Sequence, residues 1–172
     1  SGGKDMFVVK YSAALGSVVW AKRGGMIADE TGNGIAVDPS ENVYITGTYS
    51  DSTKFGSLAK LTSAGSSDAF IVQYNSSGVE QWSKTIGANG NDSGNDITAD
   101  ASGLYLTGIF SNTVIIGTDT LISKGSSDIF IAKYTTSGVA QWARGGGSTD
   151  ADIATSIALD ASSNAVITGN YS

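Results

Sequence analysis

A chain of 172 residues is long enough to bury a sizeable core, and with 40% hydrophobic and only 15% charged residues it is not a disordered acidic tail. Its net charge of −6 and ten scattered basic residues lack the basic stripe that nucleic acid requires, and no apolar run approaches the roughly 20 residues of a membrane helix, which argues against membrane insertion. With no Cys and no His there is no disulfide, no Cys or His metal site, and no His-based triad or general base.

In chain order, residues 5–23 read as two strands. The first is Asp5-Met-Phe-Val-Val-Lys-Tyr11, and the second carries Trp20. Residues 33–38 and 42–49 read as two more, separated by a turn at Asp38. The connection 50–66 carries Phe55, Leu58 and Leu61, which predicts a packed β-ribbon in place of a mobile loop. Asp68-Ala-Phe-Ile-Val-Gln-Tyr74 then repeats the opening strand, and Trp82 repeats Trp20.

The following repeat reads most clearly. Asp96–Asp100 is a short strand with apolar or small residues on both faces, ended by an Asp-Ala-Ser-Gly turn. Leu104–Phe110 is rich in aromatic and β-branched residues, as a strand should be. Residues 111–126 form a second apolar connection, with Val114, Ile115, Ile116, Leu121 and Ile122. Ile129–Tyr134 is the third strand, Thr135–Gly138 a turn, and Val139–Arg144 the fourth strand, released by Gly145 and Gly147. Residues 157–171 close the chain with two strands. No helical period of any length is present.

The same signals recur at fixed intervals. Trp20, Trp82 and Trp142 are 62 and 60 residues apart, Asp38, Asp100 and Asp160 likewise, and Gly47, Gly108 and Gly169 are 61 and 61 apart. A fixed period is the mark of a repeat architecture. Four antiparallel strands per repeat of about 60 residues fit a propeller blade, with strands A to D running outward from the axis. The inner strand, Ile35–Asp38, Ile97–Asp100 and Ile157–Asp160, is expected to be short and rich in small residues.

The pattern Gly-Asn-Gly-Ile-Ala-Val-Asp38, then Asn-Val-Tyr-Ile-Thr-Gly-Thr48, then Ser-Ser-Asp-Ala-Phe-Ile-Val-Gln-Tyr74 and Gln-Trp82 resembles the SBBP-type bacterial β-propeller repeats. The resemblance covers nearly the whole chain, in all three copies. It implies an all-β propeller of four-stranded antiparallel blades and a place in a large secreted or surface bacterial protein. It brings no catalytic motif and no cofactor.

The strand order expected over 1–172 is C-D, A-B-C-D, A-B-C-D, A-B, three blades' worth with the ends cut between strands B and C. Propellers close with at least four blades. Either the chain is a piece of a longer propeller, or two copies close a six-bladed ring in which C-D of one completes A-B of the other.

The candidate ligand-binding residues are of two kinds. Trp20, Trp82 and Trp142 on the outer strand form either a sugar-stacking rim or packing between blades. Asp29, Glu30, Asp92, Asp150 and Asp152 precede the inner strand, where a ring of carboxylates near the channel either binds a cation or basic partner or is a solvated acidic rim. Asp38, Asp100 and Asp160 read as turn caps or, with turn carbonyls, as calcium ligands. Lys10 and Lys133 share a place that Gln73 breaks. The function expected is a non-enzymatic extracellular or cell-surface scaffold or adhesion module, with another copy, missing blades, a glycan or a surface protein as partner. A lectin-like propeller with one site per blade is the alternative. An acid-residue glycosidase comes third, without an acid pair singled out by spacing.

Overall fold

In the computed structural model, which describes residues 3–172, every regular element is a β-strand. Strands β1 (Met6–Tyr11) and β2 (Val18–Gly24) form an antiparallel hairpin. Strands β3 (Glu30–Val37) and β4 (Val43–Tyr49) follow. The short ribbon β5 (Ser52–Thr53) and β6 (Leu61–Thr62) then leads to β7 (Asp68–Tyr74) and β8 (Glu80–Ile86). The four long strands form one antiparallel sheet in the order β3-β4-β7-β8. The pattern repeats with β9 (Ser93–Asp100), β10 (Gly103–Phe110), the ribbon β11 (Thr113–Ile116) and β12 (Asp119–Ile122), then β13 (Asp128–Tyr134) and β14 (Ala140–Gly146). These give the sheet β9-β10-β13-β14. Strands β15 (Ile153–Leu159) and β16 (Ala165–Asn170) end the chain as a second hairpin. The sheets are therefore propeller-like blades, and the apolar connections are ordered ribbons.

The two middle strands of each complete sheet are buried on both faces. Tyr44, Ile45, Phe70, Ile71 and Val72 on one sheet, and Leu104, Tyr105, Leu106 and Phe130 on the next, are all enclosed. Side chains alternate between faces along a strand, so a strand packed on both sides reads as a continuous apolar run, as Ala69–Val72 does. One cluster, with Met6, Val8, Val43, Phe55 and Phe70, joins the first hairpin to the first complete sheet. A second, with Tyr44, Ile71, Ile97, Leu106, Phe110 and Phe130, joins the two complete sheets.

The inner strands are longer than the four residues the sequence suggests, at eight, eight and seven residues. The reason is a β-bulge. Pairing shifts between Gly32 and Gly34 opposite Gly47, and between Thr107 and Gly108 opposite Asp96 and Gly94, so the ladder continues through residues whose composition reads as loop. Strand β14 likewise keeps Gly145 and Gly146 in its ladder. The recurring Thr-Gly pair follows from the same feature. Thr46 and Thr107 donate their buried hydroxyls to the Phe70 and Phe130 carbonyls at 2.8 and 2.7 Å. The glycine after each leaves no room for a Cβ, which would meet the carbonyl of Thr31 or Ser93 across the bulge.

Candidate functional site

Three sets of side chains tie one blade to the next. The first is the tryptophans. Trp20 donates its indole N–H to the Ser76 carbonyl at 3.1 Å, and Trp82 donates to the Thr136 carbonyl at 3.2 Å. Each acceptor lies in the outer turn of the next sheet, and each ring lies on that turn's glycine, Gly78 or Gly138. Both glycines have φ near +80°, so absence of a side chain serves the turn and the ring together. Trp20 also stacks on Tyr74 at 6.1 Å between ring centroids. Trp142 packs edge-on against Tyr105 at 6.4 Å, and no acceptor takes its N–H among the described residues.

The second set lies on the inner strands. Asn33 donates to the Gly94 carbonyl at 2.9 Å, and Asn95 donates to the Ala154 carbonyl at 2.7 Å. The Asp96 carboxylate accepts the Ser156 hydroxyl and the Ile157 N–H. The sequence reading missed these residues. Their signal was an asparagine standing at the same interval as the tryptophans, two residues ahead of Ile35 and of Ile97.

The third set is the carboxylates that end the inner strands. Asp38 accepts the N–H groups of Ser40 and Asn42, the Asn42 side-chain amide and the Tyr44 hydroxyl, all within 2.8–2.9 Å. Asp160 repeats this with Ser162 and Asn164. Asp100 uses Ser102 and Gly103 in its own turn and Ser163 of the next sheet. Burial alone would raise the Asp38 and Asp100 carboxyls, but their donors outweigh it and hold both below the usual range. The donors hold Asp160 low as well. These lone pairs are spent on the turn, so the turn-cap reading accounts for the three residues.

The acidic candidates separate once placed. Asp29 accepts the Lys4 N–H, and Asp150 is exposed. Asp92 is buried and accepts the N–H groups of Ala88 and Ser111, both at 2.9 Å. Asp152 is buried and accepts those of Ser148 and Ser172 at 2.6 and 2.9 Å. These two carboxyls brace the entry to an inner strand against the end of its neighbour and face inward. Burial pushes Asp92 up, its two donors pull it down, and the nearby Asp68 charge adds to the rise. Glu30, the first residue of β3, is 2% exposed, and neither carboxyl oxygen has a hydrogen-bond partner. Lys10 pairs with Glu41 at 3.0 Å, Lys133 sits 4.8 Å over the Tyr105 ring, and Gln73 turns to the Tyr44 hydroxyl.

The two outer hairpins lack what the complete sheets have. Phe7 is 77% exposed, whereas Phe70 and Phe130 at the same place are fully buried. Tyr171 is 77% exposed, whereas Tyr49 and Phe110 are at most 1% exposed. On the inner strand β3, which faces the first hairpin, Ile35 is 59% exposed against 3% for Ile97. An apolar groove of about 340 Å³, lined by Val8, Trp20, Ile35, Val37 and Val43, runs along this face.

Four-stranded antiparallel sheets joined face to face by repeated clasps define a β-propeller-type repeat protein. Residues 25–55 match the model of the SBBP β-propeller repeat, the family that the sequence resembles. An uncharacterized WD repeat-containing protein of Acanthamoeba polyphaga mimivirus is 29% identical over 163 residues, covering 83% of this chain and 12% of that protein. The chain thus spans about an eighth of that relative's length. Both likenesses are to repeat-containing sequences, the first of them a β-propeller repeat.

Proposed function

We propose that this chain is a non-catalytic β-propeller module, an extracellular scaffold or recognition surface whose open sheet edges are closed by strands of further repeats. For the 172-residue chain, a second copy supplies them and completes six blades. The observation that carries this reading is the exposure of Phe7 and Tyr171, whose counterparts are buried wherever a blade is complete. Tyr49 stands opposite Asp68, and Phe110 opposite Asp128. Continuing that register sets Tyr171 of one copy opposite Asp5 of the other, and lays Trp142 over the other copy's first outer turn, where its N–H gains an acceptor. An open row of unpaired N–H and C=O groups is a template for such pairing, and two-fold closure leaves no edge free. The extracellular placement rests on the family resemblance and on composition.

Light scattering after size exclusion tests the assembly. Twice the 17.5 kDa chain mass is expected, and a well-folded species at the single mass contradicts it. The carbohydrate-binding alternative has a narrow base, because Trp20 and Trp82 commit their N–H groups to the next blade. A glycan array probed with the assembled form and giving no signal removes it. A glycosidase needs two carboxyls flanking an open cleft, whereas Asp68, Asp92, Asp128 and Asp152 are at most 2% exposed.

A further inference from the structure

One acid breaks the repeat. Asp92 and Asp152 each accept two backbone N–H groups, but the residue at their place in the first complete sheet is Glu30. Its longer side chain leaves both carboxyl oxygens buried and unpaired. The Thr53 hydroxyl, on a residue with no exposed surface, is also without a partner. Thr53 and the Met26 N–H face the Glu30 carboxyl without closing a hydrogen bond of good geometry. In the next repeat the position of Thr53 is held by Val114. The chain therefore introduces a longer acid and a hydroxyl together, in one repeat only.

Gly25 completes the arrangement. A Cβ placed there would meet both Asp5 Oδ1 and Glu30 Oε2, so the two carboxyl oxygens border the small space that this glycine leaves open. Asp5 Oδ1 is likewise buried without a partner, while Oδ2 is held by Arg23 at 3.3 Å. Two carboxylates facing one space, with the Thr53 hydroxyl and the Met26 N–H near Glu30 but closing no hydrogen bond, leave several lone pairs desolvated, and a buried charge is stabilised where it is paired or coordinates a metal. At the equivalent Gly87 and Gly147 the acids are already tied down by N–H and hydroxyl donors, which would repel a cation.

We propose that Glu30, Asp5 and Thr53 form a cation site around Gly25, suited to a hard, oxygen-seeking ion such as calcium. The four oxygens, Glu30 Oε1 and Oε2, Asp5 Oδ1 and Thr53 Oγ1, supply part of the six to eight that calcium takes. Water from the adjoining cleft of about 330 Å³, lined by Lys4, Asp5, Glu30 and Thr31, fills the rest. With two carboxylates the set is smaller than a group of three or more acids, and no such larger group occurs among the described residues. This inference goes beyond the scaffold reading and does not depend on dimer formation.

The test is thermal unfolding of the chelator-treated chain during a calcium chloride titration at neutral pH. The wild-type midpoint should rise with calcium and saturate. Glu30→Gln should abolish the rise. Thr53→Val, which installs the residue of the next repeat and should fold, should weaken apparent calcium affinity by roughly tenfold or more. Glu30→Asp should restore the N–H contacts of Asp92 and leave a stable chain indifferent to calcium. A wild-type midpoint unmoved by calcium overturns the proposal, and so does an equal rise in Glu30→Gln or in Thr53→Val.

Discussion

Trp82→Ala should destabilise the chain by about 3 kcal/mol in chemical denaturation, the scale for removing a large packed aromatic. The indole covers Gly138, packs 6.2 Å from Tyr44 and donates to the Thr136 carbonyl, so its loss opens the seam between the two complete sheets. Trp82→Phe keeps much of the packing and removes the donor, and should cost about 1 kcal/mol more than a packing change alone. Because Trp82 joins two sheets, the alanine variant should also lower the cooperativity of unfolding, as one blade loosens from the next. A loss within 0.5 kcal/mol, the range of ordinary surface changes, would mean that the tryptophans do not hold the blades together.

Gly108→Ala should be at least as damaging, by about 3 kcal/mol. The added methyl would overlap the Ser93 carbonyl and lie 2.8 Å from the Phe130 ring. Both neighbours belong to strands that cannot withdraw. Ser93 sits in the bulged ladder with β10, and Phe130 is fully buried on β13. Overpacking of this kind costs typically 1–3 kcal/mol and more where backbone must move. Gly146→Ala is the control, because its added methyl would meet only Ile129 at an ordinary 3.7 Å. That change should be nearly neutral by the same denaturation measurement. Equal effects at the two positions would show that the Thr-Gly pair is not the packing constraint described above.

Much of the blade was legible in the sequence because its signals are local. An alternating or continuous run of Phe, Ile, Val and Tyr makes a strand wherever it occurs. Asp with Ser two residues on and Asn four residues on makes the turn at Asp38 and Asp160 from its own side chain. The inner strands were harder. Their first halves, Thr31-Gly-Asn-Gly34 and Ser93-Gly-Asn-Asp96, carry loop-forming residues, and they remain strand only because the bulge pairs them with Gly47 and Gly108. Contacts between blades are also invisible to a reading along one repeat, since Asn33 and Trp20 find their acceptors some 60 residues away. The singular character of Glu30 emerged only in three dimensions. On paper Glu for Asp is a conservative change, but the longer side chain leaves both carboxyl oxygens without hydrogen bonds of the kind that hold Asp92.

Whether the open edge of β1 in one copy pairs with that of β16 in the other decides the assembly, and amide hydrogen exchange at the N–H groups that point out of those two edges measures this directly. Closure by a second copy predicts slow exchange at these groups, comparable to that of β4 and β7 and lost on dilution as the copies separate. Rapid exchange at those edge N–H groups at every concentration, with β4 and β7 still protected, would mean that the edges stay open and that the chain does not close on itself.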